Sequence, residues 1–522
     1  MIGTLLYFPV SIFIFLIYFL PGFLIIKFFK KFDGLEQLVL GFALSTLIFF
    51  TLGFFVHALG FEWSFPSLLI PIIILILVLF LIKRDIKIGK EVKFLLAIFF
   101  VQYFLRLLIL INIEMFPIGG DWLSHYNISK IFLTGDWSLL TNRTFLYNFI
   151  LAFFMSIFRG EYWCAQITSV LISSLILLPT YLIGLKFFNK KIAILSFLLL
   201  SITPYTHWFL YTWPKCFAGF FILITYYFVM KRKLNVFVGI SAALSFLTHQ
   251  YSLLYLIPAG FLFLYKRKQF NLNHRTLLSV SIPMIIALSS WYSYNFFIRG
   301  SVEPATFKYY PIAVNGYATL HGKTGQQIWE DFLKTPIYEP FFIRAVNAAI
   351  PTIPLIFIIP KLISIFSPIV LPLYKSVDFT QIPWTYHHFQ TFPGHISLLL
   401  YFFFCIGFFK LFKNKSRKKD LLILIIGPFL LSLFLFGWIL PITTSTLLSL
   451  TPLLPLIGFW EVEKSKNKNK WILIVFALAI IETIIFSYWF GLNIEFTKQV
   501  TIQTGGADKY NELMTVYKIF RK

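Results

Sequence analysis

The feature that most constrains this chain is its succession of long apolar segments, most of which end in a short basic cluster. A segment of about 20 apolar residues crosses the hydrocarbon core of a bilayer. Hydrophobic residues make up 58% of the 522 residues and charged residues only 13%, whereas soluble domains average about 25% charged residues. The sequence therefore predicts an all-α polytopic membrane protein and excludes an ordinary soluble enzyme.

We expect a bundle of about 14 transmembrane helices, in which the shorter segments are buried by their neighbours because they do not span a bilayer core alone. The predicted spans are 5–26, 38–59, 68–82, 94–111, 163–185, 192–209, 217–230, 236–248, 252–265, 276–298, 396–409, 421–440, 442–460 and 471–490.

The basic residues concentrate in every second connection between these spans. Seven short connections hold 28 of the 45 Lys and Arg residues but only 7 of the 21 Asp and Glu residues. Short basic loops stay in the cytoplasm, so both termini, the loop 112–162 and the long segment 299–395 should face the outside. The net charge of +24 thus indicates topology and contact with anionic lipid, and nucleic acid is not an expected partner. The basic connections are 27–37, 83–93, 186–191, 231–235, 266–275, 410–420 and 461–470.

The charge and hydropathy pattern divides the chain into five parts. Three transmembrane helices (1–93) precede a core (94–300) that contains the first outer loop. A long outer segment (301–395) includes an apolar stretch rich in proline, which we expect to be interfacial or re-entrant because proline breaks a continuous helix. Further transmembrane helices (396–490) and an outer-face tail (491–522) follow.

The sharpest candidate site follows the fourth span, in the sequence Phe116-Pro-Ile-Gly-Gly-Asp-Trp-Leu-Ser-His125. A proline and two glycines break the span as it leaves the membrane. Asp121 then begins an amphipathic helix that extends to about Leu133, and His125 lies on the same helical face. An N-cap is the ordinary role of such an acid. Its position just outside the membrane favours a catalytic role, since a lipid headgroup meets an aqueous acceptor there.

Two cations near the outer ends of spans are candidate phosphate contacts. Arg106 lies about two turns inside the fourth span, where it either snorkels to the headgroups or binds a phosphate. Lys215 occupies a short outer loop next to Trp208 and Trp213, so it is either an aromatic-belt anchor or a phosphate contact.

Other polar residues lie at the ends of later spans. His249 breaks an apolar run at the outer end of the eighth span, where a helix cap is its ordinary role. Arg299 and Glu303 flank the exit of the tenth span. Three histidines between 387 and 395 do not have the spacing of a metal site. A Walker motif is also missing, so any activated substrate should arrive on a lipid carrier.

The order of these features resembles the integral-membrane glycosyltransferases of the GT-C superfamily, which include protein mannosyltransferases, lipid A aminoarabinose transferases and oligosaccharyltransferases. The likeness covers roughly residues 94–300. It consists of an outer loop with an acid and a helix (Asp121, His125, Ile131–Asp136), an apolar interfacial helix (Phe145–Phe158), a basic turn (Asn189–Lys191), a short outer loop (Tyr211–Cys216) and a span (Gly239–His249).

The resemblance implies a GT-C-like bundle that transfers a sugar from a polyisoprenyl-phosphate carrier to a glycan, lipid or protein acceptor outside the cell membrane. In the family the acid of the first outer loop is the catalytic base, a role that falls to Asp121. Lys215 stands where the second outer loop of relatives often has an acid, so no cofactor is certain and a divalent metal is disfavoured. We expect substrate contacts from His125, Lys215, Arg106, Arg299, Glu303 and His249.

Two other functions are compatible with the sequence. A polysaccharide polymerase or ligase would use lipid-pyrophosphate glycans and centre its site on Arg299, Arg344, His387 and His395 of the long outer segment. A transporter of lipid-linked glycans would need charges and broken helices at mid-membrane, and Arg106 and Glu482 are the charges well inside the predicted spans.

Overall fold

The structure, a computed structural model, consists of helices throughout the part of the chain that it describes. The described residues are 2–82, 88–112, 120–135, 137, 144–157, 162–210, 212–233, 235–270, 273–299, 324–336, 395–413, 417–436 and 447–501.

The N-terminal helices form a layer in which α1 and α2 pack as a close antiparallel pair. A Cβ atom on Gly22 would lie 2.0 Å from the carbonyl oxygen of Gly41, so this crossing requires glycine. The Ser45 hydroxyl accepts the Gly22 backbone N–H at 2.9 Å across the same contact. The helices of this layer are α1 (Ile2–Ile26), α2 (Gly34–Ala58), α3 (Phe65–Ile82) and α4 (Lys90–Asn112).

The next group contains the helices of the predicted first outer loop and two interrupted spans. A 61° bend separates α9 from the 3₁₀ helix that follows it. The elements are α5 (Gly120–Thr134), α6 (Leu146–Ile157), α7 (Tyr162–Ser174), α8 (Leu177–Ile183) with a π-helical turn (Gly184–Phe188), α9 (Lys190–Ile202) and the 3₁₀ helix Pro204–Leu210.

The apolar helix at 145–158, which the resemblance describes as interfacial, is enclosed by other helices. Residues 146–155 of α6 are all buried. Helix α6 packs against α2, α5, α7 and α11. Its placement at the membrane interface stays a prediction.

The remaining helices complete the described bundle. A short amphipathic helix, α14, is the described part of the long outer segment before residue 395. The elements are α10 (Lys215–Lys231), α11 (Val236–Thr248), α12 (Leu253–Tyr265), α13 (His274–Arg299), α14 (Gly325–Lys334), α15 (Leu398–Phe412), α16 (Asp420–Phe436), α17 (Leu453–Val462) and α18 (Lys468–Thr501).

The predicted spans coincide with these helices. Residues 437–446, which belong to the predicted spans 421–440 and 442–460, lie outside the described residues. Five helices are long and apolar enough to cross a membrane, or six if α9 and the 3₁₀ helix form one span. The other apolar helices have 10–17 residues. The membrane character is therefore confirmed, and the number of about 14 crossings stays a prediction.

The basic connections lie on one face of the bundle. Every acid of these connections that the structure describes is ion-paired with a Lys or Arg of a different connection, and the pairs join all seven connections into one network. We call this surface the basic face. The pairs are Asp33–Lys186 (2.7 Å), Glu91–Lys190 (3.8 Å), Glu463–Lys191 (2.7 Å), Glu36–Lys231, Asp420 with Arg232 and Lys266, and Glu461–Lys410.

Candidate active site

Several candidate residues lie at the end of the bundle opposite the basic face, which we call the far end. Helix α10 begins at Lys215 and ends at Lys231, an ion-pair partner of Glu36, so Lys215 lies about 24 Å from the basic face. The same reasoning applies to α15, which follows His395 and reaches the basic face at Lys410.

Lys215 is a buried cation at the first turn of α10. Lys215 is only 6% exposed, and its Nζ lies 4.2 Å from the centroid of the Trp213 ring. The N-terminus of a helix carries a partial positive charge, so the ammonium and the helix dipole add to one positive region. A buried positive region of this kind attracts anions such as phosphate.

The segment predicted as the first outer loop reaches this region through α5 and α6. His125 on α5 is buried, and its Nδ1 lies 2.9 Å from Oδ1 of Asn148 on α6. The ring of His125 also meets the ring of Tyr147 edge-on, with centroids 5.7 Å apart. Tyr147 in turn shares a hydrogen bond with the backbone of Trp213, next to Lys215. His125 and Lys215 are therefore connected through Tyr147 and Trp213.

His395 lies on the other side of the loop that leads into Lys215. Its Nε2 accepts the indole N–H of Trp208 at 3.1 Å, and its Nδ1 lies 3.3 Å from Oγ1 of Thr451. The Trp208 and Trp213 rings pack with centroids 5.3 Å apart. His395 thus belongs to the same far-end cluster as Lys215.

Arg106 stabilises the break that ends α9. Pro204 has no backbone N–H, so carbonyl groups at the end of the helix need other donors. The Thr203 hydroxyl donates to the carbonyl of Leu200 at 3.3 Å, and the Arg106 guanidinium donates to the carbonyl of Ser201. Arg106 is 3% exposed, so the surrounding helices enclose its side chain. Its Nε has no hydrogen-bond partner among the described residues.

His207 extends this polar cluster into the 3₁₀ helix. His207 is buried and interacts electrostatically with Arg106. Its Nε2 lies 3.3 Å from the hydroxyl of Ser487 on α18. The Arg106 cluster therefore connects α4, the break after α9 and α18.

The outcomes for the other predicted site residues differ. His249 follows α11, and its Nδ1 accepts the backbone N–H of Tyr251 at 3.3 Å, which is the capping role expected for it. Asp121 is the second residue of α5 and Arg299 the last of α13, but their side chains lie outside the described part of the structure. Glu303, Arg344 and His387 also lie outside it.

The sequence reasoning missed Asn148, Tyr147 and His207. An asparagine inside an apolar helix was the available signal for Asn148, because a buried amide needs a partner. Within the described residues, no three His, Cys, Asp or Glu side chains are close enough to hold a metal ion.

Comparison with known proteins gives one match. Residues 142–293 match the family described as dolichyl-phosphate-mannose-protein mannosyltransferase, a family of the GT-C superfamily. The matched segment contains Lys215 and His249, whereas Asp121, Arg106 and Arg299 lie outside it. No curated protein and no solved structure matches the chain. The resemblance to GT-C transferases is thus confirmed, and over residues 142–293 the chain is similar to a family of GT-C membrane glycosyltransferases.

Proposed function

We propose that the protein transfers a sugar from a polyisoprenyl-phosphate carrier to an acceptor hydroxyl on the extracytoplasmic side of the cell membrane. The observation that carries this proposal is the contact chain from His125 through Tyr147 to the Lys215 loop. It connects the helix of the expected base with a buried cation suited to a leaving phosphate.

Asp121 is the proposed general base. It precedes His125 by one turn of α5, so the two residues share a helical face. The buried contact between His125 and Asn148 fixes α5 against α6 and would hold the base in one orientation. A carboxylate positioned within hydrogen-bond reach of the acceptor hydroxyl can accept its proton as the new bond forms.

The proposed reaction is one displacement at the anomeric carbon. The acceptor oxygen forms a bond to that carbon while the bond from the carbon to the phosphate oxygen breaks. The bonding electrons leave with the polyisoprenyl phosphate, and the acceptor proton passes to Asp121. Negative charge grows on the departing oxygen, where Lys215 and the first turn of α10 stabilise it, with Arg299 as a second cation.

In this proposal Arg106 binds the phosphate of the sugar carrier. It does so through the guanidinium N–H groups that do not donate to the Ser201 carbonyl. A guanidinium has five N–H groups, so one bond to a carbonyl leaves capacity for an anion. Glu303 and His249 would contact the sugar or the acceptor.

Mass spectrometry of lipids that co-purify with the protein tests the donor class. A bound polyisoprenyl-phosphate sugar is the expected result, whereas a lipid-pyrophosphate glycan would favour the polymerase or ligase. Parallel Asp121→Asn and Arg344→Gln variants separate the two enzymes, because only the first should abolish transfer here. Uptake of a labelled lipid-linked glycan into vesicles without any transfer would instead favour the transporter.

A further inference from the structure

Two lysines on the basic face converge on one aromatic cluster. Lys464 Nζ lies 3.2 Å from the centroid of the Trp460 ring, and Lys418 Nζ lies 5.3 Å from the same centroid. Lys418 also lies 5.2 Å from the centroid of Phe188, whose ring meets Trp460 edge-on. We call these four residues the Trp460 cluster. Cation–π contacts hold both ammonium groups at the basic face.

The distances allow one anionic group to contact both lysines. Since both nitrogens are located relative to one centroid, they are at most about 8.5 Å apart, the sum of their distances from it. A phosphate oxygen accepts a hydrogen bond from an ammonium at about 2.8 Å, so a phosphodiester with two free oxygens can bridge such a pair.

The surrounding charge favours an anion. The connections 410–420 and 461–470, which the Lys410–Glu461 pair holds together, contain ten basic and three acidic residues. Two of these acids bind cations from other connections, since Asp420 binds Arg232 and Lys266, and Glu463 binds Lys191. The third acid, Glu461, binds Lys410 and also Lys464 of the cluster, at 2.9 Å. One carboxylate therefore contacts the Trp460 cluster, and basic residues remain in excess in the two connections around it.

The charge of Lys464 also acts on Lys418. Burial lowers the pKa of the Lys418 ammonium, and the positive charge of Lys464 lowers it further. An anion between them would offset both effects, because it favours the charged form of Lys418.

The adjacent helix presents apolar surface for lipid chains. Phe409 and Phe412, in the last turn of α15, are 70% and 49% exposed, directly beside Lys410. Exposed phenylalanine next to buried aromatic rings and lysine is the arrangement expected where acyl chains meet headgroups.

We propose that the Trp460 cluster is a binding site for the headgroup of an anionic phospholipid in the leaflet at the basic face, with the phosphate between Lys418 and Lys464. This site lies at the opposite end of the bundle from the candidate active site and does not depend on the proposed function.

Native mass spectrometry of the detergent-purified full chain, supplied with phosphatidylglycerol or phosphatidylcholine, tests the site. We expect the wild-type chain to retain phosphatidylglycerol at least tenfold more than phosphatidylcholine. The Lys418→Gln/Lys464→Gln variant should lose this preference. The matched variant Lys30→Gln/Lys31→Gln, which removes two exposed cations from the same face, should keep it. Circular dichroism establishes that each variant is folded.

Three results would overturn the proposal. Equal retention by the two double variants would mean that lipid binds the basic face diffusely. No preference for phosphatidylglycerol in the wild-type chain would exclude an anionic-lipid site. Release of the lipid by millimolar inorganic phosphate would assign the site to free phosphate instead of a headgroup.

Discussion

Trp208 donates its indole N–H to Nε2 of His395 at 3.1 Å. An indole nitrogen only donates, so Nε2 accepts and carries no proton. The proton of the neutral ring then lies on Nδ1, next to the Thr451 hydroxyl. With both ring nitrogens engaged, His395 fixes the end of the long outer segment to the bundle and is poorly suited to act as a base, which weakens the polymerase or ligase alternative.

Substitution of Trp208 tests this role. Trp208→Phe keeps most of the ring packing but removes the donor, and leaves a buried imidazole nitrogen without its partner. We expect a loss of about 1–3 kcal/mol in the free energy of unfolding. Thermal unfolding in detergent measures it, with Trp471→Phe as the control, since that ring lies on a partly exposed helix. Equal melting temperatures for the two variants would refute the role of the bond.

Asp420 makes the most buried charge contact of the basic face. It is 1% exposed and binds both Arg232 and Lys266. Asp420→Asn leaves two cations facing an uncharged amide, and we expect a destabilisation of about 3 kcal/mol. Glu330→Gln on the exposed side of α14 is the control and should change stability little. Comparable unfolding curves would show that the ion pairs add no net stability.

Arg106 should stabilise the break after α9 even in the absence of substrate. Arg106→Met removes the donor to the Ser201 carbonyl and should cost about 2 kcal/mol, whereas Arg106→Lys retains a donor and should recover part of it. Arg275→Met, an exposed change on the basic face, is the control for loss of one positive charge. If Arg106→Met unfolds like the wild-type chain, Arg106 has no structural role at the break.

Acid should weaken the contact between Asp33 and Lys186. Burial raises the pKa of the Asp33 carboxyl, but the hydrogen bonds from Lys186 and from the Glu36 backbone lower it more, so its pKa lies below the ordinary 3.8. A depressed acid pKa stabilises the fold above pH 3.8, and this stability is lost as the pH falls through the lower folded value.

The Asp33→Asn variant measures this contribution. Its melting temperature should fall less between pH 6 and pH 3 than that of the wild-type chain. The effect should be small because the Asp33 side chain is 39% exposed and solvent screens the pair. Parallel pH profiles for the two proteins would exclude a contribution from Asp33.

Much of the architecture follows from the sequence, because apolar length and alternating charge are local properties. The alternation of basic connections predicts that they share one face, and the ion pairs confirm it. The capping role of His249 is also visible locally, since it directly follows an apolar run.

The site contacts could not be predicted in the same way. Arg106 meets a carbonyl 95 residues away, and Trp208 meets His395 across 187 residues. Such partners depend on how the helices pack, which no local pattern specifies. The burial of α6 within the bundle could not be predicted for the same reason, because an interfacial helix and a core helix can have the same apolar sequence.

We propose that the Asp121 carboxylate is the base of an outer-face sugar transfer. The most direct measurement is the initial rate of transfer from the identified polyisoprenyl-phosphate sugar by Asp121→Asn in nanodiscs, with Asp136→Asn of the same loop as the matched control. We expect a rate at least 100-fold below wild type for Asp121→Asn, in a folded protein that still binds the donor, and a nearly unchanged rate for Asp136→Asn. Near-wild-type transfer by Asp121→Asn would contradict it.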